Sequence, residues 1–168
     1  MPRVGAGNRS TKFKFPAWQV IGLSLLLCLC PSCRTIPPLP PADLSKPGWT
    51  LHQGQALWRS KRDAPEIAGE IIFATHPGGR TMLQLTKSPL PFVSVQTSGE
   101  AWEIEFVPQQ RRFSGKGTPT TRLLWIHLAR ALNGTKPPES LKFTQSEPHG
   151  FTLENPKTGE SITGFLGQ

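Results

Sequence analysis

Cysteine disappears from this chain after position 33, and the remaining 135 residues hold none. That excludes a disulfide framework for the body of the protein. Cys28, Cys30 and Cys33 lie too close together to pair usefully and have no distant thiol to meet. A metal or iron–sulfur centre on Cys-x-Cys-x-x-Cys is excluded as well. Two of these thiols sit inside an apolar run, and His52, His76, His127 and His149 are isolated, without paired ligand spacing. No metal and no cofactor is expected. A bilayer-length apolar run is lacking too. Ala17–Cys30 offers 14 mostly apolar residues broken by Gln19, Gly22 and Ser24, where a spanning helix needs about 20.

Acid is missing from residues 1–32, which carry Arg3, Arg9, Lys12 and Lys14. Half of the formal charge of +8 therefore belongs to the leader. From position 33 on there are 15 basic and 11 acidic residues, a net of +4 (15 − 11). They are scattered, with Lys61–Arg62 and Arg111–Arg112 the only doublets, which describes a solvated surface. No nucleic-acid partner is expected. Catalytic signatures are absent: there is no Gly-x-Ser-x-Gly, P-loop, dinucleotide fingerprint or His-Glu-x-x-His. Glu103 and Glu105 fall on one wet strand face with no sign of a cleft, which argues against a glycosidase pair. The chain is not expected to be an enzyme.

What is present starts with the leader. A basic segment closed by Pro16, a short apolar core and a small residue before a cut site make a secretory signal over residues 1–32. Cys33 is the only cysteine that follows a small residue, Ser32. "LLCLCPSC" resembles a bacterial lipoprotein signal, which implies cleavage before Cys33 and a diacylglycerol thioether on its sulfur. Acyl chains at about 0.8 kcal/mol per buried methylene would then hold the protein on a membrane. Cys28 and Cys30 become apolar filler discarded with the leader. Residues 33–47 read as the lipidated cysteine and a tether, since "RTIPPLPPADLSK" admits neither helix nor central strand and favours an extended spacer. Residues 48–168 are left as the folded domain.

Within that domain, apolar and polar residues alternate. Trp58 with Ala56, Ile71 with Phe73, Leu83 with Leu85, Val93 with Val95, and Trp102 with Ile104 and Phe106 each share one face of a short segment. Period 2 with one wet face marks antiparallel strands. "HPGGR" (76–80), "TSGE" (97–100) and "NPKTG" (155–159) supply hairpin turns. Three further strands follow at 140–145, 150–155 and 160–166. Between them, "GTPTTRLLWIHLARALNG" (117–134) changes period. Thr118 is the expected N-cap, Pro119 the first helical residue and Gly134 the stop. Leu124, Trp125, Leu128, Ala129, Ala131 and Leu132 form one arc, while Leu123 and Ile126 stray onto the other side. The expected fold is mainly β (α+β): a curved antiparallel sheet, or unclosed β-barrel, covered by one main amphipathic helix. One helix is a small cover for eight strands, so an apolar trough is expected to stay partly open for a ligand.

This order of elements resembles the lipoprotein-localisation family, especially its membrane-anchored outer-membrane receptor. The resemblance runs through the lipidated cysteine, the proline-rich tether, "GQALWRSK", the hairpins, "LTKSPLP", a strand pair and "RLLWIHLARALNG". It covers most of Trp49–Leu166. It implies an unclosed barrel with a helical lid whose apolar cavity holds acyl chains, with a periplasmic carrier as partner. On this reading Trp58, Phe73, Leu83, Leu85, Val95, Trp102, Phe106 and Leu128 line the acyl site. Pro89-Leu90 stands where the receptor exposes a leucine to the membrane, so Leu90 is the expected membrane-contacting residue. Arg34, directly after the modified cysteine, points to the outer membrane, periplasmic face, if the organism has one. The alternative is a lipid-anchored structural or interaction module with a filled core and no ligand. A monomer is expected in either case.

Overall fold

The computed structural model describes residues 37–146 and 148–167. The expected signal peptide and Cys33 lie outside the described residues. Residues Ile36–Gln168 form one compact unit. Its strands are β1 (Thr50–Arg59), β2 (Glu66–His76), β3 (Arg80–Lys87), β4 (Leu90–Ser98), β5 (Ala101–Phe106), β6 (Arg111–Lys116), β7 (Lys142–Ser146), β8 (Gly150–Asn155) and β9 (Glu160–Leu166). Among the described residues one α-helix, α1 (Leu124–Leu132), lies between β6 and β7. All nine strands join one sheet in the order β6-β5-β4-β3-β2-β1-β9-β8-β7, antiparallel throughout. β6 and β7 stay as unpaired edges, so the sheet does not close.

Alternation sets the inner face. Trp58, Ile71, Phe73, Leu83, Leu85, Val93, Val95, Ile104, Phe151, Leu153 and Ile162 form one core cluster with Leu124, Trp125, Ile126, Leu128 and Ala129 of α1. Ile126 is completely buried, as its stray position on the helix arc implied: α1 meets apolar material on more than one side. Between Leu85 and Thr86 the β3–β4 register shifts by one residue. The bulge turns Phe92 onto the core.

The helix is shorter than its sequence pattern. The expected start at Thr118–Pro119 is corrected: α1 begins at Leu124 behind Leu123, with no side-chain cap. Tertiary bonds compete for the carbonyls that an earlier turn would need. His127 Nε2 donates to Thr120 O at 3.2 Å and Asn155 Nδ2 to Thr121 O at 3.3 Å. The expected stop is where the pattern put it. Gly134 takes φ +85°, and the bonds Gly134 N to Ala131 O and Thr135 N to Arg130 O close a Schellman motif.

Two further corrections concern β6 and the tether. Arg111–Lys116 was not among the eight expected strands, because "RRFSGK" has no apolar alternation. It pairs as an edge strand instead, and Gly115 leaves room for the Trp102 ring, which a Cβ there would strike. The tether is not a free spacer over its described part, so the boundary expected at residue 48 moves earlier. Leu39 N donates to Glu103 Oε2 at 3.0 Å, Arg80 Nη2 donates to Pro40 O at 2.7 Å, and the Arg80 guanidinium lies over Trp49. The proline-rich segment thus crosses the outer face of the sheet from the β5 side toward β2.

Candidate functional site

In a meander the strand connections gather at two ends. The β1–β2, β3–β4, β5–β6 and β8–β9 connections share the end that carries Leu90. The β2–β3, β4–β5 and β7–β8 turns share the end that carries His149. The inner face is filled differently at each.

At the Leu90 end, Trp58 is the centre of an aromatic cluster. Its ring meets Phe92 at 5.5 Å, Trp125 at 5.8 Å and Phe106 at 6.3 Å between centroids. The first two contacts are edge-on, the favourable geometry for ring quadrupoles. Trp58 Nε1 donates to Glu160 Oε1 at 3.1 Å. Burial pushes the Glu160 carboxyl up to about 7, against a weaker opposing effect of the Trp58 hydrogen bond.

The middle of the trough is closed by the helix. Leu83, Leu85, Val95 and Leu128, four of the residues expected to line an acyl site, are 0% exposed. Trp102 and Phe106 are partly buried against the same cluster. The structure therefore brings all eight expected residues to one face and one core, and Phe73 among them borders a cleft.

That cleft lies at the His149 end, where α1 runs out. Its volume is about 590 Å³, and it is lined by His52, Phe73, Leu132, Gln145, Ser146, His149, Gly150, Phe151, Leu166 and Gly167. Small-molecule sites commonly occupy about 300–1,000 Å³. Phe73, Leu132, Phe151 and Leu166 supply an apolar floor and walls; His52, Gln145, Ser146 and His149 give a polar rim. His52 stacks on Phe73 at 6.4 Å. The helix end above the cleft is held in place: Arg130 Nη2 donates to Glu100 O and to Gly117 O, both at 3.1 Å. Sequence reasoning missed Leu132, Phe151 and Leu166 as lining residues. Their alternation put them on the correct face, but nothing local told where the helix would end above them.

His127, on α1, is 3% exposed. Burial holds it below the ordinary histidine range, which keeps the ring neutral as a donor to Thr120 O. Glu103 and Glu105 lie on the outer face as expected, but Glu103 is not beside solvent. The tether covers it to 5% exposure. Arg112 bridges both carboxylates, at 3.7 Å to Glu103 and 2.8 Å to Glu105, so they work as an ion-pair network. Among the described residues no three groups are placed to hold a metal ion, and no helix is long and apolar enough to cross a membrane.

Leu90 follows the Ser88–Pro89 turn and is 67% exposed, the most exposed large apolar side chain among the described residues. A second opening, of about 650 Å³, runs along the outer face of β9, β1, β2 and β3. Its apolar walls include Leu57 and Phe165, and Ser88 borders it. No protein-family model matches this chain, and no curated protein matches it at a significant level.

Proposed function

We propose that this protein is a lipid-anchored half-barrel of the lipoprotein-localisation type that accepts an acyl chain in the cleft at the His149 end. The observation that carries the reading is that cleft: a space of about 590 Å³ with Phe73, Leu132, Phe151 and Leu166 in its walls beneath a polar rim, on the concave side of an unclosed sheet. Transfer would need no covalent chemistry. An acyl chain leaving water for these walls gains about 25 cal/mol per Å² of apolar surface covered, and the polar rim suits the ester or amide end of the same chain. The anchor on Cys33, export through the signal of residues 1–32, residence at the outer membrane and exchange of lipoproteins or lipids with a periplasmic carrier belong to this proposal. They rest on the leader and on the resemblance carried by the order of elements. The exposure of Leu90 is consistent with the membrane-contacting role the resemblance gives it.

A second reading has its own support. Leu83, Leu85, Val95 and Leu128 are packed without exposure, as in a lipid-anchored interaction module whose core is simply its core. Titration of residues 36–168 with a fluorescent fatty-acid analogue separates the two. Saturable micromolar binding supports the acyl-chain reading. Absence of binding leaves the interaction module.

A further inference from the structure

The two ends of the half-barrel differ in charge as sharply as in packing. At the Leu90 end, Lys61 and Arg62 sit in the β1–β2 connection, Lys87 closes β3, Arg111 opens β6, and Lys157 sits in the β8–β9 turn; all five are exposed. Asp63 is the one acid that accompanies them in these connections. Three other charges at that end have partners. Arg59 pairs with Glu66 at 3.8 Å, and Glu160 is turned inward to Trp58. At the opposite end, the described residues of the three strand–strand turns contain no lysine or arginine and include Glu100, and the one exposed lysine that closes a strand there is Lys116, opposite Ala101. Arg80, which flanks one turn, is spent on Pro40 O and Gln96.

Two of the cation-bearing connections are tied to each other. Arg62 N donates to Thr158 O at 3.0 Å and Arg62 Nη2 to Pro156 O at 3.4 Å, which joins the β1–β2 connection to the β8–β9 turn. Lys87 pairs directly with Leu90 across the β3–β4 turn. A protruding apolar residue is therefore framed by cations on a sheet that fixes their spacing. Neither element alone names a partner. Together they match a surface that is anionic outside and apolar beneath, which is a bilayer rich in acidic phospholipids. A folded acidic protein would match the charge but offers no apolar layer for a side chain standing 67% exposed at a turn.

We infer that the Leu90 end docks on acidic phospholipid headgroups, with Lys61, Arg62, Lys87, Arg111 and Lys157 as the contact ring and Leu90 as its apolar centre. This deepens the proposed membrane role of Leu90 and rests on it. It also fixes an orientation: the cleft at the His149 end faces away from the bilayer, where a partner can reach it.

The test uses residues 36–168, the compact unit that holds the whole core, with vesicles of phosphatidylcholine alone or mixed with phosphatidylglycerol. Cosedimentation at low salt is expected to be at least tenfold stronger on the mixed vesicles and to fade as salt screens the contact. Charge reversal in Lys61→Glu/Lys87→Glu/Lys157→Glu, at side chains that make no hydrogen bond within the described residues, should abolish that preference with the thermal midpoint unchanged. Leu90→Ala should weaken binding to both vesicle types. If the preference survives charge reversal, or no preference exists while Leu90→Ala still weakens binding, the cationic ring is overturned and the Leu90 reading stands. If charge reversal abolishes the preference and Leu90→Ala changes nothing, the ring stands and the role of Leu90 falls. Binding to neither vesicle overturns both.

Discussion

The Leu90 end and the His149 end are built from the same nine strands, yet one is plugged and the other is hollow. Trp58, Phe92, Phe106 and Trp125 fill the first with interlocking rings. At the second, the positions facing α1 are Phe73, Phe151 and Leu166, and the helix ends at Leu132 with a cleft beneath it. Sheet geometry did not decide which end would hold space. Side-chain volume and the point at which the helix stops decided it.

The comparison breaks most easily at Trp125, which is 1% exposed. Trp125→Ala is expected to cost about 3–5 kcal/mol in urea unfolding, the range for emptying a buried aromatic site. Leu132→Ala, at the hollow end, should cost about 1 kcal/mol, because little surface there is removed from water. Equal costs would mean that the two ends are packed alike.

The outer layer comes next. Glu103→Ala removes the acceptor for Leu39 N and one partner of Arg112. A loss of about 1–3 kcal/mol is expected, as for a buried charged acceptor, with faster amide exchange at Leu39. An unchanged midpoint would show that the tether only rests on the sheet.

Filling the cleft sharpens the functional half of the comparison. Leu166→Trp should weaken binding of a fatty-acid analogue by about tenfold, or ~1.4 kcal/mol. Leu90→Ala, at the other end, should leave that binding unaltered. Fluorescence titration reads both.

The smallest effect is a slope. The Glu160 carboxyl is raised from 4.5 to about 7 in the folded protein, so the folded state holds this proton more tightly than the unfolded chain does. The associated stability is full below pH 4.5 and is lost as pH rises through 7. Glu160→Gln keeps an acceptor for Trp58 Nε1 and should flatten the decline of the thermal midpoint across that window. A variant that declines as steeply as the parent would place the slope on another group.

Much of the fold was legible because alternation survives a single sequence. Trp58, Phe73 and Leu83 could be assigned to the apolar sheet face and Leu128 to the apolar helix arc from the sequence, and Gly134 marked the helix end. Edge strand β6 could not be read, since Arg111, Phe113 and Gly115 on its inner side carry no apolar period. Neither could the helix start, which depends on bonds from Asn155 and His127 to carbonyls of the connecting segment. For the site, the face was legible and the vacancy was not. Leu83 and Val95 follow the same pattern as Phe73, and only the length of α1 separates filled positions from open ones. The exposure of Leu90 was expected only from the resemblance carried by Pro89-Leu90, since an apolar residue at a Pro-flanked turn can equally be tucked under it.

The central claim is that an acyl chain enters at the His149 end and not through the packed middle. Nuclear magnetic resonance of residues 36–168 with a spin-labelled fatty acid tests it directly. Selective broadening of Phe73, Leu132, Phe151 and Leu166 is expected, with Leu83 and Val95 spared. Broadening confined to Leu90 and the outer face, or none at all, would contradict it.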